Sequence, residues 1–341
     1  MPADPTPPAG ELLAPLDNAE VKARVLALAA PADQALKDNL ASHVPLIEQV
    51  SEYIIFSGGK RLRPALFMLA AAAMGRPGDP RLAAIFEYLH AATLLHDDVV
   101  DEAGLRRGRP AARMEYGNDA VILVGDFLFS KSYSLSVQVP DIRFVRALTD
   151  CTTIMAEGQV LELVHTDNHT LDYPGYIEVI RSKTAVLIAA ACQMGGVYAG
   201  AEQAAVDALY AYGLELGLAF QMVDDALDYV GDMHEFGKPV GHDLKEGKIT
   251  LPFIHARETA PAAVRERLLD LARMGKRRPE VLTEAKAIVR ELGGVEATFA
   301  QAKAHALAAQ AALTPLWTGP GANPDLDTLM GLASYVITRR N

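Results

Sequence analysis

The sequence predicts an all-α protein built as one large helical bundle, and three observations carry that expectation. Apolar residues recur at the 3.6-residue period along nearly all of the 341 residues, and no convincing strand with alternating polarity occurs. Half of the residues are hydrophobic but only 6% are aromatic, an alanine-rich balance that favours closely packed helices over sheets. The periodic segments are joined by short Gly- and Pro-containing breaks, none long or polar enough to mark an interdomain linker.

The elements follow in order. Residues 1–17 carry Pro2, Pro5, Pro7 and Pro8 with no basic-then-apolar leader, and read as a flexible tail before one domain spanning 18–341. Helices are expected near 18–28 and 31–56, closed by Ser57-Gly58-Gly59. One over 61–74 stops at Gly75-Arg76-Pro77-Gly78, and one over 80–101 ends before the stretch Gly104 to Pro110. Then come 117–136, 141–166, 173–181, 184–198 and 202–230, followed by a Gly-rich stretch from Gly231 to Gly247. The last are 249–257, 261–272, 279–291, 294–312 and, after Thr318-Gly319-Pro320-Gly321, 325–339. Residues 184–201 carry no charge, but they are short for a membrane span and rich in Ala and Gly. A buried central helix is the expectation, with no stable membrane anchor.

Charge narrows the function. A net charge of −11 disfavours a nucleic-acid binder. An acidic protein that takes an anionic substrate needs local basic clusters or metal ions to overcome its own field. Cys151 and Cys192 fall inside apolar helices and read as small core residues, not a disulfide or redox pair. No Cys/His cluster has zinc-ligand spacing.

One acidic pattern occurs twice: Asp97-Asp98-Val99-Val100-Asp101 and Asp224-Asp225-Ala226-Leu227-Asp228. Both have the form DDxxD, and both follow an apolar helical run. On a helix, positions i and i+4 lie about 40° apart around the axis. Asp97 and Asp101 therefore project together, as do Asp224 and Asp228. Such like charges repel, and a hard divalent cation removes the penalty. A single DDxxD could be a solvated helix end. Two of them facing across a bundle would wall a cavity that fits a metal-bridged diphosphate. Gln221 shares the second aspartate face, and His90 shares the first.

Basic groups flank these motifs. Gly58-Gly59-Lys60-Arg61-Leu62-Arg63-Pro64 leads two glycines into a helix start, where backbone N–H groups can approach an anion, and places Lys60 and Arg63 on one helical face. Leu105-Arg106-Arg107-Gly108-Arg109-Pro110 offers paired arginines suited to bidentate phosphate contacts. Lys183 precedes Thr184, and Lys238, Lys245 and Lys248 follow the second motif. Taken singly, each reads as a solvated surface charge. Together they call for two anionic ligands, one held through metal and one gripped directly.

These strings resemble the trans-isoprenyl diphosphate synthases, especially the bacterial octaprenyl, solanesyl and decaprenyl enzymes. They are GGKRLRP (58–64), EYLHAATLLHDDVVDEAGLRRGRP (87–110), VGDFLFS (124–130), SKTA (182–185), FQMVDDALDYVGD (220–232) and GKPVGHDLKEGKITLP (237–252), and the likeness runs over roughly 30–341. Gly104 departs from the Asp or Ser common in relatives, a change a loop tolerates. The resemblance implies the isoprenoid synthase fold, helices around a deep central cavity, and a homodimer. It also implies roles. Lys60, Arg63, His90 and Arg107 would bind isopentenyl diphosphate. Asp97, Asp101, Asp224 and Asp228 would ligate two or three Mg²⁺ ions, with Asp98 and Asp225 in support. Arg106, Lys183, Lys238 and Lys248 would hold an allylic diphosphate, farnesyl or geranylgeranyl, and Thr184 and Gln221 would line the reacting carbon.

The implied reaction is ionisation of the allylic diphosphate, condensation with isopentenyl diphosphate and loss of a proton, without a Ser, Cys or His nucleophile. Product length is a packing matter. Ala92 and Thr93 lie about one turn before Asp97, near Leu89, where short-chain relatives place an aromatic floor. Small side chains there predict a long product, C40–C50, for a quinone side chain. Phe127, Phe129, Phe144 and Leu148 are candidates for a deeper floor. Shorter-chain synthases, a terpene cyclase, a non-catalytic subunit of a heteromeric synthase and an acidic ion-binding bundle are the rival readings. A cyclase leaves GGKRLRP and LRRGRP unexplained, and non-catalytic subunits usually lack one or both aspartate motifs. The expected location is the cytoplasm, with transient membrane contact for product release.

Overall fold

A computed structural model describes Glu11 and residues 14–230 and 242–338 of the chain. Its first helix, α1 (Asn18–Asn39), starts on a reciprocal cap. Asp17 Oδ1 accepts from the backbone N–H groups of Ala19 and Glu20, and Glu20 accepts from the Asp17 N–H. The helix runs through Pro31, where the sequence suggested a new start. Pro31 and Ala27, whose carbonyl loses its partner, both face solvent, and the buried face continues through Ala29, Ala32 and Leu36. The break falls instead at residues 40–44, because Pro45 opens α2 (Pro45–Ile55) and holds Val44 extended.

Next come α3 (Leu62–Ala73) and α4 (Pro80–Val100), the latter capped by Asp79. A two-stranded hairpin follows, β1 (Leu105–Arg106) with β2 (Arg109–Pro110), against the expectation of no strand. Its turn residues Arg107 and Gly108 both have positive φ, 52° and 75°, the backbone of a tight two-residue hairpin. Strands this short carry no alternation to read. The chain continues through α5 (Ala112–Tyr116), α6 (Asn118–Ser136), α7 (Ile142–His165) and α8 (Tyr173–Ile180). A π-helical turn, Arg181–Ala185, joins α8 to α9 (Val186–Tyr198), so the expected gap at 182–183 is a helical bulge and not a break. Then come α10 (Gln203–Val230), α11 (His242–Glu246), α12 (Leu251–Thr259), α13 (Ala262–Gly275), a 3₁₀ turn (Pro279–Val281), α14 (Leu282–Glu291), α15 (Gly294–Leu313) and α16 (Pro324–Thr338).

The helix α10 organises the bundle. It packs on α9 and α15, while α4 packs along α6 and α3 along α9. One apolar core gathers α1, α3, α4, α9 and α16; a second gathers the end of α10 with α12 to α15. Close approach of backbones fixes the centre. A Cβ added at Gly217 of α10 would meet Ala185 Cα at 2.6 Å, and one at Gly158 of α7 would meet the Ser182 carbonyl carbon at 2.8 Å and the Lys183 nitrogen at 2.9 Å. The π turn is thus gripped from two sides. Among the described residues no helix is long and apolar enough to cross a membrane, and α9 is buried almost throughout. Cys151 and Cys192 are buried and unpaired.

Candidate active site

Burial of charge marks the end of α4. Asp97 is 7% exposed and Asp98 fully buried, and burial pushes both carboxyls above the usual range. Asp98 is held by Arg106, whose Nε donates to Oδ1 at 2.5 Å from the nearby hairpin. Lys183 stands beside Asp97, with Nζ 3.3 Å from Oδ2, and also donates to Glu162 of α7. One oxygen of each aspartate, Asp97 Oδ1 and Asp98 Oδ2, is buried without a hydrogen-bond partner. Asp101 closes the helix: its N–H bonds to the Asp97 carbonyl, so the expected shared face of Asp97 and Asp101 is formed.

The second motif lies on the last turns of α10. Asp225 is buried and anchored, accepting from Tyr176 Oη at 2.6 Å and from Gln221 Nε2 at 2.7 Å. Burial, with Asp224 and Asp228 nearby, pushes its carboxyl up to about 7. Thr184 Oγ1 in turn donates to Gln221 Oε1 at 3.0 Å, so Thr184, Gln221, Asp225 and Tyr176 form one chain. Asp228 accepts from the backbone N–H groups of His242 and Asp243, each at 3.2 Å, and so caps α11. Lys248, just beyond α11, reaches back to the first motif at 3.3 Å from Asp101 Oδ2 and to Glu246 at 2.8 Å. Burial alone would lower the Lys248 ammonium, but Glu162, Glu246 and Asp101 raise it. Residues 242–248 therefore touch both motifs, the first through Lys248 and the second through the His242 and Asp243 N–H groups.

A basic side faces these carboxylates. Lys60 and Arg63 do not share a helical face as expected, because α3 begins only at Leu62 and Arg61 before it has a left-handed φ of 49°. Arg61 turns inward to pair with Glu87 and Asp33, both at 2.7 Å. Arg63 keeps a buried Nε with no hydrogen-bond partner; burial lowers its pKa while Glu87 and Asp224 oppose. Arg107 donates to the Gly58 carbonyl and ties the hairpin to the glycine loop. Burial, reinforced by Arg63, Arg107, Arg106 and Arg61, drives His90 well below its ordinary pKa, which keeps the ring neutral. Lys60 is exposed beside this cluster, and Lys238 lies outside the described residues. One to two turns before Asp97 on α4, Ala92 and Leu89 are fully buried, and the Thr93 hydroxyl donates to the His90 carbonyl at 2.8 Å. Phe144 and Leu148 are fully buried; Phe127 and Phe129 are half-buried on α6.

Sequence reading missed Glu162, Glu246 and Tyr176. Glu162 and Tyr176 are lone polar residues without a motif of their own, and Glu246 lies inside the 237–252 string without a role assigned to it. Glu162 had one signal, its position one turn after Gly158, where α7 meets the π turn.

Comparison with known proteins follows the same lines. The polyprenyl synthetase family profile matches residues 44–291. The octaprenyl diphosphate synthase of Escherichia coli K12 is 38% identical over 307 residues, 89% of this chain and 94% of that one. A decaprenyl diphosphate synthase from Rhodobacter capsulatus superposes with a TM-score of 0.86 at 38% identity, covering 95% of this chain and all of the other. A polyprenyl synthase from Caulobacter crescentus, solved with calcium and isoprenyl diphosphate, superposes with a TM-score of 0.85 at 38% identity, over 94% and 98% of the two chains.

Proposed function

We propose, for a chain that belongs to the polyprenyl synthetase family and is a trans-prenyltransferase of the long-chain type, that this site extends an allylic diphosphate with isopentenyl diphosphate to C40–C50 for a quinone side chain. The observation that carries this reading is a bridge between the two acidic motifs: Asp228 accepts from the first N–H groups of α11, and Lys248, just beyond α11, pairs with Asp101.

Asp97, Asp101, Asp224 and Asp228 are the residues that would hold Mg²⁺, with Asp98 and Asp225 positioned behind them. Two features suit that ion. All these donors are hard oxygens, and Asp97 Oδ1 is a buried carboxylate oxygen without a partner. Among the described residues no three carboxylate, His or Cys groups form a ready-made cage. Mg²⁺ needs none, since it prefers one or two carboxylates with water and phosphate oxygens. When bound, two or three such ions supply neutralisation of charge on a departing diphosphate.

The chain's own residues do the rest. Arg106, Lys183, Lys248 and Lys238 hold the allylic diphosphate and stabilise charge as its C–O bond breaks. Lys60, Arg63, Arg107 and neutral His90 hold the isopentenyl diphosphate beside it. Thr184 and Gln221, locked to Asp225, face the reacting carbon. The growing tail runs past Ala92 and Thr93, whose small side chains leave room, toward Phe127, Phe129, Phe144 and Leu148. Farnesyl or geranylgeranyl diphosphate is the primer. The active unit is a homodimer, formed through exposed apolar residues of α6 (Ile122, Leu123) and α7 (Val160, Leu163, Val164). The enzyme works in the cytoplasm, and Val100 and Leu105, exposed beside the first motif, suit brief bilayer contact during product release.

Incubation with farnesyl diphosphate, labelled isopentenyl diphosphate and Mg²⁺, followed by chromatography, tests the reading. Products of C40–C50 are expected. Products of C15–C20 would overturn the chain length, and no incorporation would overturn the reaction.

A further inference from the structure

Glu162 belongs to no motif, yet it sits between the two lysines of the site. Lys183 donates to it while lying 3.3 Å from Asp97. Glu162 is also among the carboxylates that raise the Lys248 ammonium, with Glu246 and Asp101. Its side chain is only 17% exposed. Its reach to Lys183 is built into the backbone, because Gly158, one turn earlier on α7, has no Cβ to hold the π turn away. Around these residues four carboxylates (Asp97, Asp101, Glu162, Glu246) face two ammonium groups (Lys183, Lys248).

We propose that Glu162 is a positioning residue that keeps Lys183 paired when Asp97 turns to a metal-held diphosphate; this rests on the reaction proposed above. The physical reason is a competition for one carboxylate. An ammonium left alone in a half-buried site is costly, so Lys183 can release Asp97 only if another anion holds it. Glu162 already does so, bonded to Lys183 beside Asp97. Without it, Lys183 pairs with Asp97 alone and blocks the carboxylate that must bind metal. With it, Lys183 stays beside Asp97 as a fixed donor for the diphosphate.

A double-mutant cycle tests this without turnover. Binding of Mg²⁺ with inorganic pyrophosphate is measured by calorimetry on the full chain, on Glu162→Gln, on Lys183→Gln and on the double variant. The expected result is about a tenfold weakening for Glu162→Gln alone, shrinking to about twofold or less once Lys183 is absent, a coupling within the range found for contacting residues. Glu162→Asp, which keeps the charge, should recover part of the loss. It carries the same cycle if the Gln variant fails to fold, with a smaller loss that vanishes without Lys183. Equal losses with and without Lys183, or no loss at all, would overturn the proposal. If the unaltered chain fails to bind Mg²⁺ with pyrophosphate, the underlying reaction falls, and this role with it.

Discussion

The contact between α10 and the π turn yields a sharp expectation for Gly217→Ala. The added Cβ would lie 2.6 Å from Ala185 Cα and 2.8 Å from Ala185 Cβ. Ordinary carbon contacts begin near 3.4 Å, so the π turn or α10 must retreat by about 1 Å. Both partners are backbone or first side-chain atoms in a packed core, and neither can swing aside. Overpacking of this kind costs about 1–3 kcal/mol. An unfolding entropy of about 2.1 cal/mol/K per residue gives roughly 0.7 kcal/mol/K for the chain, so the melting temperature should fall by about 1–4 °C. The effect on turnover should be larger than that small loss suggests. Lys183 and Thr184 ride on the displaced turn, and a shift of about 1 Å in a positioning group can lower the rate about 100-fold. Thermal melting and steady-state incorporation of isopentenyl diphosphate measure the two effects side by side. Gly104→Ala is the control, since nothing lies within 4 Å of a Cβ there. A Gly217→Ala enzyme with normal turnover and melting would refute the claim that this helix contact places the site.

Asp97→Ala should reduce incorporation by about 1,000-fold or more, as expected for loss of a residue that would hold the metal neutralising the departing diphosphate, while circular dichroism stays native. Thr93→Phe should shift the products toward C15–C20 in the same chromatographic assay; an unchanged distribution would reject the route past α4. Glu87→Gln breaks a buried pair with Arg61, which is 8% exposed, and should destabilise the fold by about 3 kcal/mol in a denaturant titration, less if Asp33 retains the guanidinium. Tyr176→Phe removes the 2.6 Å anchor of the buried Asp225 and should lower the melting temperature by about 1–4 °C, the cost of leaving a buried acceptor without its donor, and slow turnover as Asp225 and Gln221 lose their fixed placement.

Much of this architecture is legible in the sequence because helix periodicity and Gly/Pro breaks report local physics. Where reading failed, the deciding term was tertiary or solvent-dependent. Pro31 did not end α1 because its missing bond falls on the wet face, which only the burial of Ala29 and Ala32 reveals. The 105–110 hairpin was missed because strands of two residues show no alternation; its positive-φ Arg107 was the hidden cue. The two acidic motifs were legible because repetition makes chance unattractive. Their companions were not. Glu162 and Tyr176 reach the site from α7 and α8, and nothing in their local spacing distinguishes them from other polar helix residues; Glu246, from α11, lies in the 237–252 string, but only the fold brings it to Lys248. Arg61 sits inside a conspicuous basic string yet turns away to Glu87, because a left-handed backbone at that residue redirects it.

Anomalous diffraction from crystals grown with Mn²⁺ and pyrophosphate addresses the paired aspartate clusters most directly. Metal peaks bridging Asp97 and Asp101 on one side and Asp224 on the other, with pyrophosphate between them, are the predicted result. Peaks confined to one cluster, or a pyrophosphate bound away from both, would contradict it.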